Sequence, residues 1–197
     1  MVKPGIVIAC GGLGKRMGGS KPLRMLGGAT LLRHACDWAT ARSDQVALAV
    51  RHDSQLLDQE FPLLIDRHTG IGPISALASA FDFALATKRE YVLVIGCDQP
   101  FLPNDLVARL SAAIGDRGAA MPTSLGREQP LATLWRADRG ALTEYLGKGG
   151  QSLRGFAHRV NVVTVEWETE PSCDPFFNVN DPVALEEAER RFRRTRR

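Results

Sequence analysis

Short, wholly apolar runs alternate with amphipathic stretches through the first half of the chain. Ile6-Val7-Ile8-Ala9, Val46-Ala47-Leu48-Ala49-Val50, Leu63-Leu64-Ile65 and Tyr91-Val92-Leu93-Val94-Ile95 are too uniformly apolar for strands with one solvated face. They predict strands buried on both sides, as in a parallel sheet. Between them, Thr30 predicts the N-cap of a helix with Leu31, Leu32, Ala35 and Trp38 on one side. Asp53 or Ser54 suits the cap of a short helix. Pro73 suits the first position of the clearest helix, with Ile74, Leu77, Ala78, Phe81, Ala84 and Leu85 at helical spacing. This alternation predicts right-handed crossovers and an α/β sandwich: a mainly parallel sheet with helices on both faces.

The second half keeps the pattern but loosens it. Pro103 and Asn104 open a helix through Leu106, Val107 and Leu110, and Ala119 to Met121 and Leu131 to Trp135 read as strands. A helix around Leu142 to Leu146 ends at Lys148-Gly149-Gly150, Ser152 caps a further turn, and Val160 to Val165 is the last strand. Asp181-Pro182 pairs a cap with an N1 proline to open a terminal helix, whose early Glu186, Glu187 and Glu189 and late arginines suit the helix dipole. No repeat, low-complexity segment or linker divides residues 1–197, which predicts a single domain.

Composition narrows the class. The 197 residues are 44% hydrophobic and 24% charged, with a formal net charge of +3, ordinary for a soluble globular protein and too mild to argue for nucleic acid. Six of the last eight residues are arginine. That run reads as a solvated helix end, with an anion-docking patch as its alternative. Cys10, Cys36, Cys97 and Cys173 are widely spaced, without a C-x-x-C pair or zinc-spaced histidines, as expected of reduced thiols in a cytoplasmic protein. Ile6 to Cys10 is too short for a signal peptide, and no apolar run is long enough to span a membrane.

The candidate chemistry starts where the first strand ends. From Cys10 to Lys21 there are five glycines and three cations, Lys15, Arg16 and Lys21. Glycine permits positive φ and close backbone approach, so consecutive N–H groups can converge on phosphate oxygens while the cations neutralise them. A Walker loop is excluded, because Ala9 stands where its first glycine belongs and Arg16 where Ser or Thr must follow the lysine. The dinucleotide fingerprint fails at Met17, and Gly18, Gly19 and Pro22 delay any helix. What remains is G-G-x-x-x-R-M-x-x-x-K. Asp66 and Asp98 also follow predicted parallel strands, so the fold places both acids on the same rim as the loop, where open α/β sheets bind ligands. A carboxylate there can hold Mg²⁺ whose shell phosphates and water complete.

Cys10-Gly11-Gly12, Arg16-Met17-Gly18 and Lys21 resemble the signature loop of sugar-nucleotide pyrophosphorylase-type nucleotidyltransferases. Within that superfamily the chain is most similar to the molybdenum cofactor guanylyltransferases. Gly72-Pro73-Ile74-Ser75-Ala76-Leu77, Cys97-Asp98-Gln99-Pro100-Phe101-Leu102-Pro103, Pro130-Leu131-Ala132-Thr133-Leu134-Trp135, Ser152-Leu153-Arg154-Gly155-Phe156 and Phe177-Asn178-Val179-Asn180-Asp181-Pro182 follow in the family's order. The resemblance implies a Rossmann-like, nucleotide-diphospho-sugar transferase-like sandwich, with a nucleotide half over about residues 1–100 and an acceptor half over about 101–197. It implies transfer of GMP from GTP to Mo-molybdopterin with release of pyrophosphate and with Mg²⁺ as cofactor. Molybdenum cofactor insertion machinery and client molybdoenzymes are the implied partners, with neither nucleic acid nor membrane.

By the same resemblance Ala9, Cys10 and Gly11 contact guanine and Gly12 runs along the phosphates. Arg16 and Lys21 neutralise phosphate charge, Asp66 lies near the nucleoside and Asp98 holds the metal. Ser152, Asn178 and Asn180 belong to the acceptor side; the two asparagines can reach metal or pterin, and equally suit a turn before Pro182. No general base is needed, since the acceptor phosphate is already ionised, so the scattered His34, His52, His68 and His158 are expected to be structural or exposed. Three positions depart from the family: Ser20 replaces an aspartate, leaving Lys21 or Arg16 without a local charge partner; Gln129 replaces histidine; and Leu48 occupies a strand-end position where a polar nucleoside contact is common. The rival readings are a CTP- or sugar-phosphate-specific transferase on the same fold, and a non-catalytic GTP-binding protein for cofactor delivery.

Overall fold

The computed structural model describes residues 3–11, 21–51, 60–66 and 72–195. Gly12, Arg16, Ser20, the expected cap at Asp53 or Ser54, His52 and His68 lie outside them.

Seven strands form the spine of the sheet: β1 (Gly5–Ala9), β4 (Val46–Val50), β5 (Leu63–Ile65), β6 (Tyr91–Gly96), β7 (Ala119–Ser124), β9 (Ala132–Arg136) and β10 (Val162–Trp167). Their order is β10-β7-β9-β6-β1-β4-β5, and the short β8 (Arg127–Glu128) pairs with β7. Strands β1, β4, β5 and β6 are mutually parallel, as are β7 and β10, whereas β9 runs antiparallel to both its neighbours. The apolar runs fall on strands, with two corrections: β5, expected to be buried on both sides, is an edge strand with Ile65 50% exposed, and β10 starts at Val162 because Val160 is the C-cap of the preceding helix. The reversal of β9 could not be read from them, because burial on both faces gives one pattern in either direction.

Side-chain alternation along these strands feeds two separate cores. Ile6, Ile8, Leu48, Val50, Leu93 and Ile95 face the layer built by α1 (Leu31–Thr40) and α3 (Leu106–Ala113). Val7, Ala47, Ala49, Val92 and Val94 face α2 (Ile74–Ala86), α4 (Arg139–Gly147) and α5 (Leu153–Arg159). Burying one large side chain such as Phe81, which is fully enclosed, contributes about 2 kcal/mol, so the two cores together fix which face each helix covers.

Local signals set the helix ends. The Thr30 hydroxyl accepts from the Arg33 N–H at 3.1 Å and the Ser152 hydroxyl from the Gly155 N–H at 3.0 Å. The Asp181 carboxylate accepts from the Ala184 N–H at 2.8 Å, opening α6 (Pro182–Thr195). Helix α2 begins one residue after Pro73, and Leu85, expected on its buried face, is 52% exposed. Its buried set instead includes Ser75, Ala76, Ser79 and Phe83, because the N-terminal half of α2 is enclosed nearly all round.

A third, smaller core ties the two ends of the chain together. Leu26 and Leu31 pack with Val179 and Ala188, flanked by Phe101, Phe177, Leu185 and Phe192. Leu26 belongs to a hairpin of β2 (Met25–Leu26) and β3 (Ala29–Thr30). The Gly27 N–H at its tip donates to the Glu189 carboxylate at 2.9 Å. The terminal helix therefore packs against the segment that carries Lys21. Arg191 is structural rather than solvated: it pairs with Glu187 at 3.1 Å, donates to the Pro171 carbonyl at 3.0 Å and lies 4.1 Å from the Phe177 ring centroid.

Candidate nucleotide site

Strand order reverses at β1: β4 and β5 lie to one side, and the chain crosses back through α2 to place β6 on the other. The carboxyl ends of β1 and β6 therefore open side by side, Ala9 opposite Gly96. This is where an open α/β sheet offers a crevice for a ligand.

Asp98 follows β6 at this crevice. Its carboxylate forms an ion pair with the Lys21 ammonium, each side chain only 13% exposed. The same ammonium donates to the Asn180 side-chain oxygen at 2.6 Å. The Asp98 carbonyl accepts from the Val179 N–H at 2.9 Å, which fixes the asparagine segment against the Asp98 turn. Gly96 makes that turn possible: a Cβ there would stand 2.3 Å from the Asp98 Oδ1 and 3.4 Å from the Gln99 Oε1. The partner that Ser20 does not provide for Lys21 thus comes from across the fold, which corrects the expectation drawn from sequence.

The donor set at this point is a carboxylate and a carboxamide oxygen, with an ammonium already seated between them. Hard oxygen ligands of this kind fit Mg²⁺, which commonly takes one or two carboxylates and completes its octahedron with phosphate and water. Among the described residues no group of three or more His, Cys, Asp or Glu could hold a metal. Among the described residues, one carboxylate with a neighbouring carboxamide is what could meet such a cation.

Asp66 stands at the other end of the rim, after β5, its N–H bonded to the Val50 carbonyl at 2.8 Å. The carboxylate is buried and short of donors. The Ser75 hydroxyl lies 2.9 Å from the Asp66 Oδ2 and also 2.9 Å from the Gly72 carbonyl, so one proton serves two acceptors. The Asp66 Oδ1 is buried with no hydrogen-bond partner. Burial pushes the Asp66 pKa up from the ordinary carboxylate range, against the smaller opposing effects of Ser75 and nearby Arg51. A Cβ on Gly11 would lie 3.2 Å from the Asp66 Oδ2 and 3.5 Å from the Arg51 Cγ. The bare glycine backbone is thus what lets the β1 turn, Asp66 and Arg51 converge.

Other expected site residues divide. The Cys10 side chain is turned into the core, 1% exposed, and its N–H is committed to the Ala49 carbonyl at 2.8 Å. Its hydrogen bond with Cys97, then burial, raise the Cys10 pKa well above an ordinary thiol's, and burial pushes Cys36 up to about 11. These thiols are neutral core groups, not nucleophiles.

Asn180 joins the Lys21–Asp98 pair, whereas the Asn178 amide turns back to the Phe176 carbonyl at 3.0 Å. Ser152 serves as the N-cap of α5, away from this cluster in its hydrogen bonding. Arg154 and His158 of the same helix pair with Glu128 on β8, and Phe156 stacks on Trp135 with centroids 5.6 Å apart, so that motif ties the second half together. Gln129 donates to the Ser124 hydroxyl at 3.0 Å. Leu48 is fully buried in the middle of β4, not at a strand end; the residue after that strand is Arg51. Arg51, Ser75 and Gly96 were missed from sequence. The polar residue directly after the all-apolar β4 run was the one available signal.

Gly11, Lys21 and two rim acids gather at the switch point of a mostly parallel sheet, the place where open α/β sheets take their ligands. Residues 6–162 match the model of the MobA-like NTP transferase domain. The chain is 37% identical over 199 residues to the molybdenum cofactor guanylyltransferase of Rhodopseudomonas palustris (strain HaA2), covering 94% of this chain and 91% of that protein. It is 37% identical over 188 residues to that of Acidiphilium cryptum, covering 93% and 92%. Among solved structures, molybdopterin-guanine dinucleotide biosynthesis protein A from Archaeoglobus fulgidus superposes with a TM-score of 0.77 at 21% identity, over 96% of this chain and 98% of that one. The 2-C-methyl-D-erythritol 4-phosphate cytidylyltransferase from Thermus thermophilus gives 0.71 at 21% identity, over 98% and 100%. The chain belongs to the MobA-like NTP transferase family, on the side of the molybdenum cofactor guanylyltransferases.

Proposed function

We propose that the protein transfers GMP from GTP to Mo-molybdopterin, forming the guanine dinucleotide form of the cofactor and releasing pyrophosphate. The observation that carries this reading is the clasp of Lys21 between Asp98 and Asn180, set beside the β1 turn at the switch point. The names of the relatives select guanine over cytosine.

An oxygen of the acceptor phosphate bonds to the α-phosphorus of GTP as the bond from that phosphorus to the bridging oxygen breaks. Pyrophosphate leaves with the electron pair, and no proton need be removed. Such a reaction depends on positioning and on neutralising charge. Lys21 supplies a positive charge to the α-phosphate region as a point donor, and Arg16, a few residues before it in the sequence, a second. Asp98, with Asn180 beside it, would hold Mg²⁺, which would neutralise the triphosphate and the leaving pyrophosphate.

Asp66, short of donors, accepts N–H or O–H groups of the nucleoside, while the backbone of Ala9 to Gly12 lines the base and phosphates. Asn178 and Ser152 lie on the acceptor half. The four free cysteines, Cys10, Cys36 and Cys97 buried and Cys173 exposed, accord with work in the cytoplasm, where the product passes to insertion machinery and client molybdoenzymes. No helix among the described residues is long and apolar enough to cross a membrane. Calorimetry with GTP, CTP and UTP in Mg²⁺ tests the base: GTP is expected to bind in preference, and a clear preference for CTP would overturn the guanine assignment.

A further inference from the structure

We propose that the Lys21 ammonium is the resident cation of the Asp98–Asn180 seat in nucleotide-free protein, and that a divalent ion enters only when a triphosphate draws Lys21 away. The inference rests on the reading of Asp98 as the metal-holding residue and adds an order of events to it.

Three segments far apart in sequence deliver the seat. Lys21 opens a short 3-10 turn, Lys21–Leu23; Asp98 follows β6; Asn180 precedes α6. Their positions are set by contacts within the fold. The Asp98 carboxylate folds back over Gly96 where a Cβ would stand 2.3 Å away, and the Val179 N–H holds the Asp98 carbonyl at 2.9 Å. Two acceptor oxygens are thus aimed at one point, the Asp98 carboxylate largely enclosed and the Asn180 carboxamide at the exposed edge. Left without a cation or donor, the Asp98 carboxylate would be desolvated and unpaired. The ammonium answers both, by ion pair to Asp98 and by hydrogen bond to Asn180 at 2.6 Å.

That occupancy excludes a metal. Magnesium requires its oxygens at about 2.0–2.1 Å in an octahedron, whereas an ammonium takes oxygens at about 2.7–2.9 Å. A lysine nitrogen between the same two oxygens occupies the volume a metal would need and repels it. The long lysine stem, however, allows the charge to move. A triphosphate bound at the carboxyl end of β1 offers Lys21 a stronger anion and brings its own oxygens for the metal. Loss of the lysine from the seat and gain of the metal are then one exchange, so metal and triphosphate bind with positive coupling that each exerts equally on the other. Free divalent cations in the absence of nucleotide bind poorly, although the carboxylate is present.

The test is Mn²⁺ binding followed by electron paramagnetic resonance, with no turnover involved. Wild-type protein without nucleotide is expected to bind Mn²⁺ weakly, and Lys21→Met about tenfold or more tightly, a coupling of ordinary allosteric size. Adding GTP should tighten Mn²⁺ binding in wild type far more than in Lys21→Met. Lys21→Gln, which keeps a donor for Asp98 but no charge, provides a second variant should Lys21→Met not fold, and should also bind nucleotide-free Mn²⁺ more tightly than wild type. If the folded lysine variants bind nucleotide-free Mn²⁺ no better than wild type, while Asp98→Asn abolishes Mn²⁺ binding in the presence of GTP, the exchange is wrong and the metal assignment survives. If Asp98→Asn keeps full Mn²⁺ affinity with GTP, the metal assignment fails and the exchange with it.

Discussion

Lys21 and Asn180, 159 positions apart in sequence, meet in a hydrogen bond of 2.6 Å from ammonium to carboxamide oxygen. The bond joins the segment after the glycine loop to the segment that opens the terminal helix. Asn180→Ala removes an exposed hydrogen bond to Lys21, which contributes little to stability, and with it one oxygen of the seat beside Asp98. It should lower kcat/KM for GTP by roughly tenfold to a hundredfold with little change in thermal stability. Steady-state pyrophosphate release and a melting curve on the same sample check both halves of that expectation.

Gly96 constrains the same centre from beneath. Gly96→Ala would drive a methyl group to 2.3 Å from the Asp98 Oδ1, displacing the carboxylate or the turn. Overpacking of this sort costs about 1–3 kcal/mol. The variant should melt lower and lose turnover together, whereas wild-type activity in a normally stable variant would show that the Asp98 position is unimportant.

Asp66 predicts an opposition between stability and function. Its pKa is raised by burial, so between the unfolded and folded values the folded state binds more protons. The contribution is present at low pH and is lost as pH rises through the raised value. Asp66→Asn removes an under-solvated charge. It should therefore stabilise the protein at neutral pH by about 1 kcal/mol, flatten this part of the pH dependence, and weaken nucleotide binding. Urea titrations at pH 4 and pH 7, paired with calorimetry for GTP, separate the two effects.

The arginine-rich terminus predicts a contrast between neighbours. Arg191 combines an ion pair, carbonyl contacts and the Phe177 face, and Arg191→Ala should destabilise by about 1–2 kcal/mol. Arg190 is exposed and pairs only along its own helix, so Arg190→Ala should change stability by less than about 0.5 kcal/mol. Equal melting temperatures for the two variants would contradict the structural role of Arg191.

Much of the scaffold was legible because buried parallel strands and capped helices leave local marks. The run Val46 to Val50, the cap at Thr30 and the pair Asp181-Pro182 each reappear where pattern placed them. Asp66 and Asp98 were found as acids after strands, since a strand end is a local feature and the fold rule then brings the ends together. What sequence withheld was non-local. Nothing near Lys21 announces Asp98 or Asn180 as its partners, and Ser20 pointed the other way. The central place of Leu48 was already implied by the run Val46 to Val50, whereas the inward turn of Cys10 depends on which way the chain faces as it leaves the strand, which a uniformly apolar strand does not reveal. The reversal of β9 is hidden for the same reason.

The most direct measurement is pyrophosphate release by the purified protein given GTP, Mo-molybdopterin and Mg²⁺. Release that needs both substrates, prefers GTP to CTP, and falls by orders of magnitude in folded Asp98→Ala and Lys21→Ala is the predicted result. Binding of GTP without any release, or near-normal release by either folded variant, would contradict it.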